Sequence, residues 1–196
     1  MYHYIYMEGE QLSTSDFHDI LKASYLPQKK AAELMSTKGY SYDPELSSMT
    51  SKVFISPSGQ PIISNRGSIT AKDFLYEDVN AGLGGIFGKT EKVKQVQQLS
   101  KATQDKYGMA PTFASHSLGA YLNEQGAKKT PESQVYNYNK AAGLPSLFYE
   151  RPKNQHDYRT TLDLPSALSA FQSGGSQKTL SGSYNPLEAH DIKYLT

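Results

Sequence analysis

The sequence has 196 residues, a length that fits one domain. Its apolar content is low, since only 37% of the residues are hydrophobic and 15 of these are Tyr. Because 20 Lys and Arg residues nearly balance 19 Asp and Glu residues, the net charge is +1, which argues against broad electrostatic binding of nucleic acid. Cys is absent, which excludes a disulfide scaffold, a Cys-ligated zinc site and a thiol nucleophile.

The first part of the chain is predicted to be helical. Ser15 can cap a helix over residues 16–25. Pro27 can open a second helix that ends near Lys38, where Gly39 favours a stop.

Two strands are expected next, joined by a turn. The runs 52–56 and 61–65 are apolar enough for buried strands, and Pro57-Ser-Gly59 between them is typical of a turn. The pattern therefore predicts a hairpin. A further helix is expected from Thr70, because Thr70-x-x-Asp73 is a weak variant of the capping box.

Helices and strands alternate in the rest of the chain. A helix is predicted over 90–107, and its buried stripe is formed by Val93, Val96, Leu99 and Ala102. The next elements are a strand over 111–115, a helix over 117–129, strands over 134–138 and 158–162, and a short helix from Pro165. The stretches 173–176 and 181–183, rich in Ser and Gly, are predicted to be loops.

This alternation predicts a compact α/β fold with a mostly parallel central sheet flanked by helices. We expect a single domain over residues 1–196, in which an N-terminal helical segment (1–45) packs on a core (46–196).

The tract Phe113-Ala-Ser-His-Ser-Leu-Gly-Ala120 is the strongest candidate for a catalytic site. A predicted strand runs into a predicted helix with Ser117 at the joint, and the small residues Ser115 and Gly119 stand two positions before and after it. This pattern is typical of a nucleophile elbow, in which a strained turn exposes the serine hydroxyl. The alternative is that Ser117 only caps the helix and Gly119 only allows close packing.

Other segments extend this pattern. Arg66-Gly67-Ser68 follows a predicted strand, Asp73-Phe74 comes shortly after, and His116-Ser117-Leu118-Gly119 forms the elbow. In this order, residues 52–196 resemble the class 3 lipase family of α/β-hydrolases, and in particular small lipase-like proteins of large DNA viruses. The resemblance implies a serine hydrolase that cleaves carboxylic esters of acyl lipids, as triacylglycerol lipases and phospholipases do, without metal or organic cofactor.

The resemblance also implies site residues. Ser117 matches the nucleophile, and the backbone N–H groups of Leu118 and Ser68 would form the oxyanion hole. The residues that would support the site are Arg66, Gly67, His116 and Gly119.

Two carboxylates compete for the acid of the triad, since Asp157 and Asp163 flank the predicted strand 158–162. In a parallel sheet the active site lies beyond the carboxyl ends of the strands, and only Asp163 lies there. Asp157 would be about 20 Å away at the opposite edge. Asp163 is therefore favoured, and its alternative role is to cap the short helix from Pro165.

His190 resembles the C-terminal catalytic His of the family. It lies in a late predicted loop, 185–192, from which a general base can reach the nucleophile. The alternative is an exposed loop His without a catalytic role. The other four are His3 and His18, which precede the core, His116, whose ring must point away from Ser117, and His156, beside Asp157.

A glycine-rich tract over 80–88 carries Leu83, Ile86 and Phe87. These side chains could form a mobile lid that contacts lipid, or an ordinary connection whose apolar residues pack into the core.

Two expectations concern the setting of the protein. No run approaches the roughly 20 apolar residues of a membrane span, and residues 1–8 lack the features of a signal peptide, so we expect a cytoplasmic protein with at most peripheral membrane contact. The resemblance to lipase-like proteins of large DNA viruses implies a virion-associated protein as the other setting. The alternative to an active enzyme is an inactive hydrolase scaffold that acts as a binding or structural protein, because Ser115 replaces the Gly usual in an elbow and the chain is compact.

Overall fold

A seven-stranded sheet forms the centre of the fold. The computed structural model describes residues 13–67, 91–141, 150–164 and 166–195. The strands lie side by side in chain order. They are β1 (Ser41–Tyr42), β2 (Ser51–Ile55), β3 (Pro61–Asn65), β4 (Thr112–His116), β5 (Val135–Tyr138), β6 (Arg151–Thr160) and β7 (Gly174–Leu180).

The sheet is mostly parallel, as predicted. Strands β1 to β3 pair antiparallel, and the turn between β2 and β3 contains Gly59 at a φ of 91°, which confirms the predicted hairpin. Every pair from β3 to β7 is parallel, so the carboxyl ends of these five strands meet at one edge. The fold is therefore α/β.

Helices cover both faces of the sheet. They are α1 (Thr14–Tyr25), α2 (Gln28–Ser36), α3 (Glu91–Tyr107), α4 (Gly119–Ala127) and α5 (Pro186–Ala189), with 3₁₀ helices over Ala167–Phe171 and Ile192–Tyr194. On one face α1 packs on β3 and β4, and its Phe17 lies against Tyr136 and Tyr158. On the other face α3 and α4 pack together around Val96 and Phe113.

Several predicted helix features differ from the structure. Ser13, and not Ser15, caps α1, because its Oγ accepts a hydrogen bond from the Asp16 N–H at 3.0 Å. Ala102 is exposed, and the adjacent Thr103 is buried in its place. The segment Pro186–Ala189 is helical where a loop was expected.

Two strand predictions were wrong at the far side of the sheet. Strand β6 begins at Arg151, seven residues before its predicted start. Its first residues are polar and partly exposed, so they lack the apolar pattern from which a strand is predicted. Strand β7 occupies Gly174–Leu180, where the stretch 173–176 was predicted to be a loop. As the last strand of the sheet it is mostly exposed, so its sequence lacks the apolar run that marks a buried strand.

A row of buried polar side chains crosses the sheet on the face that α4 covers. Neighbouring strands pair these residues directly in register, and the row consists of Ser51, Asn65, Ser115, Asn137 and Asp157. Ser115 Oγ donates to Asn137 Oδ1 at 2.9 Å, and Asn137 Nδ2 donates to Asp157 Oδ1 at 2.9 Å. The low apolar content of the chain is therefore partly explained by polar residues in the core, whose hydrogen-bonding groups are paired with one another.

Candidate active site

Ser117 lies at a strained joint between β4 and α4. Its φ of 57° is in the left-handed region, which a residue other than Gly rarely adopts. The Ser117 N–H donates to the Tyr138 carbonyl at 3.0 Å, and the Ser117 carbonyl accepts from the Ala141 N–H at 3.3 Å. Bonds to the end of β5 thus hold the strained conformation, and the turn has the backbone of a nucleophile elbow.

Gly119 and Ser115, the small residues two positions after and before Ser117, fit their positions for different structural reasons. A Cβ on Gly119 would lie 2.2 Å from the Asn65 carbonyl oxygen, so only Gly fits at this position. Ser115 faces the other way, into the polar row, where its hydroxyl is bonded to Asn137. A serine therefore fits two residues before Ser117 without contact between its side chain and the elbow.

The turn after β3 packs directly on the elbow. A Cβ on Gly67 would lie 2.9 Å from Ser117 Cβ and 2.8 Å from the Tyr25 hydroxyl, which explains the Gly. Arg66 is anchored through its N–H, which donates to the Thr50 carbonyl at 3.0 Å. The next residue, Ser68, lies outside the described residues, so its predicted place in the oxyanion hole stays a prediction.

The predicted lid also falls outside the part of the chain that the structure describes. Leu83, Ile86 and Phe87 all lie in the tract 68–90, as does the helix predicted from Thr70.

Ser117, His190 and Asp163 are joined by hydrogen bonds. His190 Nε2 lies 2.8 Å from Ser117 Oγ, and His190 Nδ1 lies 2.8 Å from Asp163 Oδ1. Asp163 is fully buried, whereas the His190 side chain is 19% exposed. A hydroxyl, an imidazole and a carboxylate therefore form one hydrogen-bonded chain, and the imidazole remains accessible to solvent.

Asp163 follows the end of β6, beyond the carboxyl edge of the sheet. Leu162, at a φ of 64°, turns the chain there. The carboxylate makes two contacts, because Oδ1 bonds His190 and Oδ2 accepts the Ser166 N–H at 3.1 Å.

Asp157 lies within β6 rather than before it, which corrects the predicted position. It is buried in the polar row, where Arg151 Nε donates to its Oδ2 at 2.7 Å. This carboxylate is thus committed to a buried ion pair.

Side chains at the carboxyl ends of three strands hold the segment that carries His190. Three consecutive carbonyls of this segment accept hydrogen bonds from them. The donors are Asn139 Nδ2 (2.9 Å) and Thr160 Oγ1 to the Ala189 carbonyl, His116 Nε2 to the His190 carbonyl (2.7 Å) and the Tyr138 hydroxyl to the Asp191 carbonyl (3.4 Å). The position of the imidazole is therefore fixed through its backbone as well as through Asp163.

His116 is buried and neutral. Burial, and then the nearby His190, lower the pKa of His116 to about 3. Because a carbonyl can only accept, the hydrogen bond to the His190 carbonyl places the ring proton on Nε2. Nδ1 then accepts from the Tyr25 hydroxyl, 2.8 Å away.

Two residues of this region, Asn139 and Tyr25, were not predicted from the sequence. Asn139 directly follows β5 at the edge where Asp163 follows β6, so the rule that selected Asp163 could also have selected Asn139. Tyr25 ends the first helix, and no local pattern links it to a site more than ninety residues away.

Within the described ranges no group of three His, Asp or Glu side chains could hold a metal ion. Among the same residues, no helix has both the length and the apolarity that crossing a bilayer requires.

Comparison with solved structures finds distant similarities. A triacylglycerol lipase from Penicillium expansum, known from its crystal structure, is 18% identical, and the match covers 91% of this chain and 82% of that one with a TM-score of 0.46. No protein-family model matches the sequence, and no curated protein matches it. A similarity this distant supports no conclusion about activity.

Proposed function

We propose that this protein is a serine hydrolase that cleaves carboxylic esters through an acyl-enzyme. The observation that carries the proposal is the unbroken hydrogen-bond chain from Ser117 Oγ through His190 to Asp163, with both distances at 2.8 Å. A hydroxyl in a strained elbow, bonded to an imidazole that a buried carboxylate orients, is the arrangement that nucleophilic acyl transfer requires.

In the first half of the reaction Ser117 Oγ attacks the ester carbonyl, and His190 Nε2 takes the hydroxyl proton. Asp163 accepts a hydrogen bond from Nδ1–H, which keeps the lone pair on Nε2 and stabilises the imidazolium that forms. The imidazolium then donates its Nε2 proton to the departing alkoxide as the carbon–oxygen bond breaks. In the second half water attacks the acyl carbonyl while His190 takes its proton. The bond to Ser117 Oγ then breaks, the carboxylic acid leaves, and His190 returns the proton to Ser117 Oγ.

The developing oxyanion needs donors that are already in place. The Leu118 N–H lies directly after the nucleophile, and no residue that the structure describes accepts a hydrogen bond from it. It is the first proposed donor, and the N–H of Ser68 is the second.

Acyl lipids are the proposed substrate class. Leu162 and Leu164, on either side of Asp163, are 45% and 66% exposed, so the rim of the site offers apolar surface to an acyl chain. The resemblance of the elbow and of Arg66-Gly67-Ser68 to class 3 lipases favours the same class, whether triacylglycerols or phospholipids. A lid of Leu83, Ile86 and Phe87, and peripheral contact with a membrane, belong to this proposal.

A fluorophosphonate probe tests the proposal because it reacts only with an activated serine. We expect the probe to label the protein at Ser117 and labelling to disappear in Ser117→Ala. The matched control is Ser58→Ala in the β2–β3 turn, at the opposite edge of the sheet, which should label as the wild type does. A wild-type protein that never labels would favour the inactive scaffold.

The substrate class needs a separate assay. Hydrolysis of p-nitrophenyl butyrate in solution would be compared with release of fatty acid from tributyrin emulsion and from phosphatidylcholine vesicles. Replacing Leu83, Ile86 and Phe87 together with Ala should reduce lipid hydrolysis and spare the soluble ester. Equal loss on both would contradict the lid.

A further inference from the structure

We propose that the Tyr25 hydroxyl is a positioning group that ties the turn after β3 to the segment carrying His190, with His116 as the link. The inference rests on the proposed function, since it assigns to Tyr25 an effect on how His190 serves Ser117.

A continuous path of hydrogen bonds carries the proposal. The Gly67 N–H donates to the Tyr25 hydroxyl at 3.1 Å, and this hydroxyl lies 2.8 Å from His116 Nδ1. His116 Nε2 lies 2.7 Å from the His190 carbonyl. Four segments that are far apart in the sequence therefore meet along one line of bonds.

The direction of every bond on this path is determined. The His190 carbonyl can only accept, so the proton of the neutral His116 ring is on Nε2. Nδ1 is then an acceptor, and among the described residues its donor is the Tyr25 hydroxyl. The Gly67 N–H fills a lone pair of the same oxygen, so no other orientation satisfies all three groups.

The protonation states agree with this direction. Burial raises the pKa of Tyr25 to about 12, although the Gly67 N–H and the Arg66 charge act in the opposite sense. The hydroxyl therefore keeps its proton at neutral pH. His116 stays neutral there, as its low pKa requires.

Removal of the hydroxyl would release two constraints. The Gly67 N–H would lose its acceptor beside Ser117, whose Cβ would lie 2.9 Å from any Cβ at position 67. His116 would also lose the donor at Nδ1 that orients its ring. The ring would then tilt in its site, the hydrogen bond from Nε2 to the His190 carbonyl would lengthen, and the segment that holds the imidazole against Ser117 would shift.

The first test is the kinetics of Tyr25→Phe, which keeps the ring. We expect kcat for p-nitrophenyl butyrate to fall about 10-fold while KM stays within about twofold, because geometry and not substrate binding is disturbed. Tyr107→Phe is the matched control, since its hydroxyl donates to Asp43 Oδ2 at 2.7 Å and α3 ends at the opposite edge of the sheet. This control should lose stability and keep its kcat.

The second test does not depend on activity. ¹⁵N NMR of the imidazole rings should give the Nε2–H tautomer of His116 in both proteins, with the Nδ1 signal shifted downfield in Tyr25→Phe, because this acceptor has lost its hydrogen bond. Hydrogen exchange at the Gly67 amide should accelerate in Tyr25→Phe and remain unchanged in Tyr107→Phe. An unchanged Nδ1 shift together with unchanged exchange would overturn the inference, whatever the activity.

The outcomes separate this inference from the proposed function. If the wild type reacts with a fluorophosphonate and Tyr25→Phe has the kcat of Tyr107→Phe, the inference fails and the proposed function stands. If the wild type does not react, the proposed function fails, and the role of Tyr25 in catalysis fails with it.

Discussion

The Asp163 carboxylate is shared between two partners, since Oδ1 lies 2.8 Å from His190 Nδ1 and Oδ2 accepts the Ser166 N–H at 3.1 Å. The backbone bond fixes the plane of the carboxylate, and the carboxylate in turn fixes the imidazole. One side chain thus links the turn after β6 to the proposed general base.

Two substitutions of Asp163 distinguish the effect of its bond to His190 from that of its bond to the Ser166 N–H. In Asp163→Asn the amide oxygen can still accept the Ser166 N–H, but the charge that orients His190 is lost. We expect kcat to fall about 10⁴-fold with little change in thermal stability. Asp163→Ala should lose the same activity and about 1 kcal/mol of stability in addition.

Ester hydrolysis and thermal unfolding of both variants check this prediction. Asp105→Asn, an exposed carboxylate on α3, is the control and should match the wild type in both measurements. Activity in Asp163→Asn within about tenfold of the wild type would contradict the role of Asp163.

The sequence allowed Asp163 to be predicted because a general rule applies to it. The carboxyl ends of parallel strands share an edge, and this rule needs only the order of the strands. The position of Asp157 could not be predicted equally well, since the polar start of β6 does not resemble a strand. Tyr25 could not be found at all, because its contact with His116 exists only once α1 has packed on β4.

Substitution of Gly119 tests how closely the start of α4 approaches the backbone at the end of β3. A Cβ at this position would lie 2.2 Å from the Asn65 carbonyl oxygen, which is backbone and cannot turn aside. We expect Gly119→Ala to cost more than about 3 kcal/mol and to abolish labelling by a fluorophosphonate.

Gly126→Ala is the matched control on the same helix. Its Cβ would lie 2.8 Å from the Phe113 ring, which is a side chain and can shift. We expect a cost of about 1–2 kcal/mol and retention of labelling. Equal stability of the two variants in urea unfolding would argue against the close approach of α4 to β3.

The buried pair of Arg151 and Asp157 predicts a large loss of stability when only one partner is removed. Arg151→Met leaves the Asp157 carboxylate buried with Lys140 3.9 Å away as its remaining cation, and we expect a cost of about 3 kcal/mol. Arg151→Met combined with Asp157→Asn should cost less than the sum of the two single changes, because no unpaired charge remains.

Urea unfolding of the single and double variants measures this coupling. The exposed pair Lys101–Asp105 is the control, and Lys101→Met should cost less than about 1 kcal/mol. Strictly additive effects at Arg151 and Asp157 would contradict the prediction.

The buried His116 predicts how stability depends on pH. Its pKa is about 3 in the folded protein and near the ordinary 6.5 in the unfolded chain, so the unfolded chain binds more protons between these values. The free energy of unfolding therefore keeps its full value above pH 6.5 and falls as the pH decreases towards 3. Each pH unit within this window costs about 1.4 kcal/mol, which gives about 2 kcal/mol between pH 7.5 and pH 5.

A comparison of His116→Gln with the wild type isolates this contribution, because the groups that titrate in both proteins cancel to first order. Unfolding in urea at pH 7.5 and pH 5 should give a loss about 2 kcal/mol smaller in His116→Gln than in the wild type. His18→Gln, at a partly exposed position on α1, should follow the wild type. If all three proteins lose the same free energy, His116 accepts a proton in the folded state, and its bonds to Tyr25 and the His190 carbonyl cannot both be as described.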